Sequence, residues 1–194
     1  MTRVREIDLS SLPKQIRTTL KKRQKTVGGD PTWQLVMAHR PRQLGHVLDL
    51  MDSFAEDGVV PERLRQLAVV TVSKANECAH CVGRHSVRLN DAGMSYATID
   101  GLLDPQCPGL DREERLVRDY ALAVTRDANR IRDTLFDDLQ AVFDAEMIVE
   151  LTMLITIAGF FNAFNNAMQV TLDESHGAMQ QRQRNLEGAG ASAD

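Results

Sequence analysis

Between Pro61 and Ala75 the chain reads as a helix that is apolar on nearly every side. Leu64, Leu67, Ala68, Thr71 and Ala75 share one face, and Val69, Val70 and Val72 fill much of the rest. A helix of that kind has no solvent face of its own, so other elements must surround it. Pro61 sits where a helix tolerates proline, at its first turn. The expectation is a bundle with this helix at its centre.

The stretch that follows is Asn76-Glu77-Cys78-Ala79-His80-Cys81-Val82-Gly83-Arg84-His85. Cys78, Cys81, Val82, His85, Leu89 and Ala92 recur at helical spacing, which predicts a second helix from Cys78 to about Ala92. Asn76 is the expected N-cap, placing both cysteines in the first turn. Unpaired backbone N–H groups and the positive end of the helix dipole favour a thiolate there. At about 100° per residue, His85 lies roughly 40° from Cys81 on the same face, whereas His80 points about 100° away, beside Arg84. His85 is therefore the better proton partner for Cys81.

The remaining chain also reads as helices. They are expected at about Leu12 to Lys25, from Trp33 to His39-Arg40 ahead of Pro41, and over Leu44 to Phe54 up to Gly58. Further helices are expected from Ser95 to Asp104-Pro105, over Leu116 to Val124, over Asp133 to Phe143, and from Asp144 to about Val170. Asp111 and Glu114 have the spacing of a capping box. No useful period-two alternation, internal repeat or interdomain linker stands out, so the fold class is all-α and single-domain. Residues 1–10 are expected as a flexible lead-in, 11–175 as the domain with its core over 41–170, and 176–194 as a disordered tail. Trp33 and His39 read as core or interface packing, and His46 as a helix-face residue. The aromatic and methionine stripe of the last helix reads as core or subunit contact.

Composition narrows the function classes. The chain has 194 residues and a net charge of −4, so no nucleic-acid partner is expected. The basic run Lys21-Lys22-Arg23-Gln24-Lys25 reads as a solvated helix end. The first residues lack the apolar core of a signal peptide. The run Leu151 to Phe164 is too short to cross a bilayer and contains Asn162. A cytoplasmic protein without a membrane partner is the expectation. No Gly-rich phosphate loop stands out, so no nucleotide cofactor is expected. Cys107, between two prolines, has no local partner and reads as incidental or as a reactive surface thiol.

Three chemistries remain open for Cys78 and Cys81 on spacing alone. A redox dithiol is one: two thiols one turn apart can close a disulfide. A zinc site is another, although four ligands are the norm and His39, His46 and His176 are scattered. The third is a pair of small residues packed at a helix crossing.

The run Arg63 to Val72, then Asn76-Glu77-Cys78-Ala79-His80-Cys81 and His85, resembles the alkylhydroperoxidase-D and carboxymuconolactone decarboxylase family, in its peroxidase-related branch. The likeness extends from about Pro41 to Val170 and includes Asn162-Ala163-Phe164-Asn165-Asn166. It implies an all-helical homo-oligomer, a trimer or hexamer, that reduces an organic hydroperoxide with a dithiol or protein as reductant, without metal or cofactor. It also implies Cys81 as nucleophile, Cys78 as resolving thiol, His85 as proton handler and His80 as the histidine between the cysteines. The family often carries a glutamate twelve residues before the first cysteine. Gln66 stands there, and an amide cannot titrate. Glu62 or Glu77 is then the substitute relay acid. The alternatives are a non-catalytic redox- or zinc-responsive module and a lactone decarboxylase.

Overall fold

The computed structural model describes residues 2–27 and 31–171, with Gln181 and Asn185 beyond them. The expected tail over 176–194 lies, apart from those two residues, outside the described residues, as do residues 28–30. Nine α-helices follow one another in the described residues: α1 Lys14–Val27, α2 Thr32–Met37, α3 Pro41–Glu56, α4 Glu62–Ala75, α5 Ala79–Asp91, α6 Tyr96–Asp100, α7 Arg112–Asp127, α8 Asp133–Gln140 and α9 Ala145–Met168. No strand occurs among the described residues.

As its pattern requires, α4 is central and packs against α5, α7 and α9. Leu67, Ala68 and Val70 are fully buried there. Truncating Leu67 to Ala at such a site costs about 2–5 kcal/mol. One core forms around α4 from α7, α8 and α9. A second gathers Trp33, Val36, Leu44 and Leu48 under the end of α9. Trp33 meets Phe161 edge-on at 4.8 Å between ring centroids. The capping box at α7 is present, with Asp111 accepting from the Glu114 backbone and Glu114 from that of Asp111. Arg63 of α4 ion-pairs with the buried Glu114.

Several local expectations change. The lead-in is tied down at two points: the Arg3 N–H donates to Met168 O at 2.8 Å and that of Ile7 to Leu35 O at 3.1 Å. His39 is exposed rather than packed, its ring bonded to Arg5 O. Cys107 is buried rather than on the surface. The reason is Arg118, whose guanidinium binds the carbonyls of Leu102, Asp104 and Pro105 and draws the loop inward.

The last helix is longer than its apolar run suggested. Among the described residues, α9 is the one helix long and apolar enough to cross a membrane. Its inner face, with Leu151, Ile155, Asn162 and Asn165, is buried in the bundle. Val149, Met153 and Phe160 stand exposed on the outer face.

Candidate active site at the Cys78–Cys81 turn

The site is built at the junction of α4 and α5. α4 closes in a Schellman arrangement: the Cys78 N–H donates to Ser73 O at 2.9 Å and the Glu77 N–H to Lys74 O at 3.1 Å. This requires a left-handed residue, and Glu77 takes that role with φ +53°. Asn76 therefore ends α4 rather than capping α5, and Cys78 is the N-cap of α5. The cysteines therefore lie closer to the helix start than expected, with Cys81 the third residue of α5.

The two sulfurs lie 2.7 Å apart and both thiols are free. Cys81 forms part of a cavity wall and Cys78 lies behind it, fully buried. The pair releases its first proton as a unit. Hydrogen bonding from the Cys81 thiol draws Cys78 down to about 7, against the opposing effect of burial. The same bond, then burial, pushes Cys81 upward. One anion is thus shared between the two sulfurs.

Side chains from α9 close the site from the other side. The Asn165 Nδ2 donates to Cys81 Sγ at 3.3 Å and the Asn162 Nδ2 to Ser73 Oγ at 3.1 Å. Asn76 donates to Asn162 Oδ1, and Asn166 to Asn76 O. This amide network locks the turn to α9. The Asn165 Oδ1 is buried without a hydrogen-bond partner. α9 also ends on a left-handed residue, Gln169, and the His80 Nδ1 donates to Thr171 O just past it, at 2.9 Å.

His85 meets Gln66 through Nδ1 and Oε1 at 2.7 Å, and the Gln66 Nε2 donates to Glu62 Oε1 at 2.9 Å. The carboxylate can only accept, so it fixes which way the amide faces. The amide oxygen can only accept as well, so the His85 Nδ1 carries a proton and Nε2 is the basic nitrogen of the neutral ring. Glu62, which also pairs with Arg65, reaches His85 through Gln66. Glu77 is exposed; its part is in the backbone turn. Among the described residues no group of three or more His, Cys, Asp or Glu side chains gathers as a metal shell.

The cavity has a volume of about 320 Å³ and takes wall residues from both cores, among them Trp33, Val69, Leu154 and Phe161. Cys81, His80, His85, Gln66 and Glu62 all line it. So do four arginines that the sequence reading did not single out as site residues: Arg23, Arg65, Arg84 and Arg88. Arg23 is not part of a solvated helix end; it reaches inward and pairs with Asp52. The signal available in the sequence was the spacing Cys81, Arg84, Arg88, one helical face.

The carboxymuconolactone decarboxylase family model matches residues 46–111, which hold α4, α5 and the dithiol turn. Over that stretch the chain is similar to the carboxymuconolactone decarboxylase family. Members of this family are generally enzymes. Escherichia coli K12 YnjA, an uncharacterized protein, is 31% identical over 108 residues, 55% of this chain. The match spans 59% of that relative's length. Among solved structures, the alkylhydroperoxidase-D core of an uncharacterized peroxidase-related protein from Ralstonia eutropha JMP134 aligns with a TM-score of 0.82, over 90% of this chain and 94% of that one, at 23% identity. A cysteine-to-alanine variant of the debrominase Bmp8 in complex with 2,3,4-tribromopyrrole aligns with a TM-score of 0.80, over 94% and 97%, at 20% identity. At these identities the likeness fixes the all-α alkylhydroperoxidase-D-type fold.

Proposed function

We propose that this protein is a thiol-dependent peroxidase that reduces organic hydroperoxides through Cys81 and Cys78. The observation that carries the reading is the 2.7 Å contact between a sulfur on a cavity wall and a sulfur hidden behind it. Cys81 is the one that meets a substrate, and Cys78 is placed to close on it.

The Cys78 thiolate takes the Cys81 proton as the Cys81 sulfur attacks the terminal oxygen of the hydroperoxide. The O–O bond breaks, leaving Cys81 as sulfenic acid, and the alkoxide leaves. The His85 Nε2, its tautomer held by Gln66, takes that proton from Cys78 and passes it to the alkoxide oxygen. The Asn165 Oδ1, unpartnered in the buried wall, accepts a hydrogen bond from the hydroperoxide O–H. Cys78 then attacks the sulfenic sulfur, water leaves, and a disulfide forms. In balance, one hydroperoxide and two thiols give an alcohol, water and a disulfide, and an external dithiol or protein reductant restores the pair. Gln66 cannot titrate, so turnover leans on the sulfur pair more than on a carboxylate relay.

Cys81→Ser should show no hydroperoxide consumption, while Cys78→Ser should consume about one equivalent and stop at the sulfenic acid. Sustained turnover by Cys81→Ser would refute the assignment. A second reading uses the same dithiol to reduce a carbon–halogen bond, as the name of the debrominase suggests. Its support is the buried, unpartnered acceptor of Asn165, which suits a ring N–H as well as an O–H. Bromide release from a bromopyrrole, with no reaction with cumene hydroperoxide, would select it.

A further inference from the structure

The dithiol occupies one end of the cavity, and Arg65 and Arg88 stand at the other. α4 and α5 run antiparallel: Ser73 meets Cys78, Gln66 meets His85, and the Arg63 Nη1 donates to Ala92 O at 2.9 Å. Glu62 and Arg65 therefore come level with Arg88, whose Cα lies seven residues, about 10 Å along the axis, from that of Cys81. Arg84 lies between them, and Arg23 enters from α1. Arg23 and Arg65 have carboxylate partners in Asp52 and Glu62. The charges that act most strongly on Arg88 are nevertheless all cationic: burial first, then Arg84, Arg23 and Arg65, draw it down to about 10. The cavity lining carries these four guanidiniums and one carboxylate, that of Glu62, and an anion entering it is drawn to that excess of positive charge. The walls between the two ends include apolar side chains, Val69, Leu154 and Phe161.

We infer that the cavity takes an amphipathic carboxylate, with its carboxylate held among Arg23, Arg65 and Arg88 and a spacer of about 10 Å running past Arg84 to Cys81. The planar guanidinium suits a carboxylate in bidentate contact. The volume stands at the lower end of the range for ligand cavities, about 300–1,000 Å³, which favours a medium-length chain or a single substituted ring. This inference names the substrate class for the proposed peroxidase, so it rests on Cys81 being the reactive end, but the binding can be measured without any turnover.

The probes are octanoate and octan-1-ol, which share a chain length and differ in the charged head. Calorimetric titration of the reduced protein should give octanoate an affinity at least tenfold above that of octan-1-ol, and octanoate should slow alkylation of Cys81 by neutral iodoacetamide. Arg88→Gln should erase the preference, and Arg88→Lys should restore part of it. Arg23→Gln, on α1, gives the same test should Arg88→Gln lose its helical circular dichroism. Equal affinity for both probes, no octanoate binding, or an undiminished preference in a folded Arg88→Gln or Arg23→Gln variant would each overturn the inference. Consumption of neutral cumene hydroperoxide is measured separately: its absence would remove the peroxidase reading while an octanoate preference would still stand.

Discussion

All three cysteines of this chain are buried, yet the two regions that hold them differ in every other respect. Cys78 and Cys81 are 0% and 5% exposed, and Cys107 is 1% exposed, so burial does not separate them. The difference lies in what surrounds each sulfur. Cys78 faces a second thiol at the start of a helix, near the amides of Asn162 and Asn165, and is drawn down to about 7. Cys107 has no sulfur partner. Its thiol donates to Thr98 O at 3.4 Å, and burial pushes it above the ordinary thiol value despite the nearby Arg118 and Arg115. A buried cysteine near positive charge is therefore insufficient. The thiolate needs donors that reach it, and here the best donor is the other thiol.

The largest test of this contrast is mutational. Cys81→Ser should abolish hydroperoxide consumption, and Cys107→Ser should leave it intact, as read by peroxide depletion with excess dithiol. A Cys107→Ser loss of activity in a folded protein would break the comparison. Next comes Asn165→Ala, which removes a donor to Cys81. One hydrogen bond to a charged group contributes about 1.5–3 kcal/mol, so thiolate reactivity should fall by roughly tenfold or more.

The pH dependence sharpens the contrast. Alkylation of Cys81 in the reduced protein should rise through about pH 7, the apparent value of the pair, and Cys107 should stay unreactive across that window. The linked stability has a definite sign. The folded value of Cys78 is depressed from 9.0 to about 7. Its contribution is therefore full above the unfolded value, and is lost as pH falls through about 7. Denaturant midpoints of the reduced wild type should decline over that interval relative to those of Cys78→Ala.

Much of the fold was legible because its signals are local. The all-apolar α4 announces the bundle centre, and Asp111 with Glu114 announces the start of α7. The placement of Cys81 and His85 on one face follows from their spacing. What was missed depends on long-range geometry or on a broken local rule. Asn165 acts on Cys81 across 84 positions of sequence. The site also has Glu62 reaching His85 through Gln66, which no spacing rule suggests. Arg23 sits in a basic run whose ordinary fate is solvent, and only the packing of α1 brings it to the cavity. Asparagine favours an N-cap, yet Asn76 closes α4, because Glu77 breaks the helix one residue later in a conformation that glycine usually takes.

That broken rule supplies the smallest prediction. Left-handed backbone costs an ordinary L-residue about 1–2 kcal/mol, and glycine costs roughly 0.5–1 kcal/mol in chain entropy. Glu77→Gly should therefore raise stability by about half a kcal/mol in a denaturant titration. It should also leave hydroperoxide consumption in place, since Glu77 serves the turn and not the proton. A loss of turnover in the more stable variant would return Glu77 to the proton path.

The central claim is that Cys81 and Cys78 form a peroxide-reactive pair. It is tested most directly by mapping thiols and disulfides by mass spectrometry in the reduced, metal-free protein before and after one equivalent of cumene hydroperoxide. The account predicts rapid, near-stoichiometric appearance of a Cys78–Cys81 disulfide with Cys107 still reduced. Slow oxidation scattered over all three cysteines would contradict it.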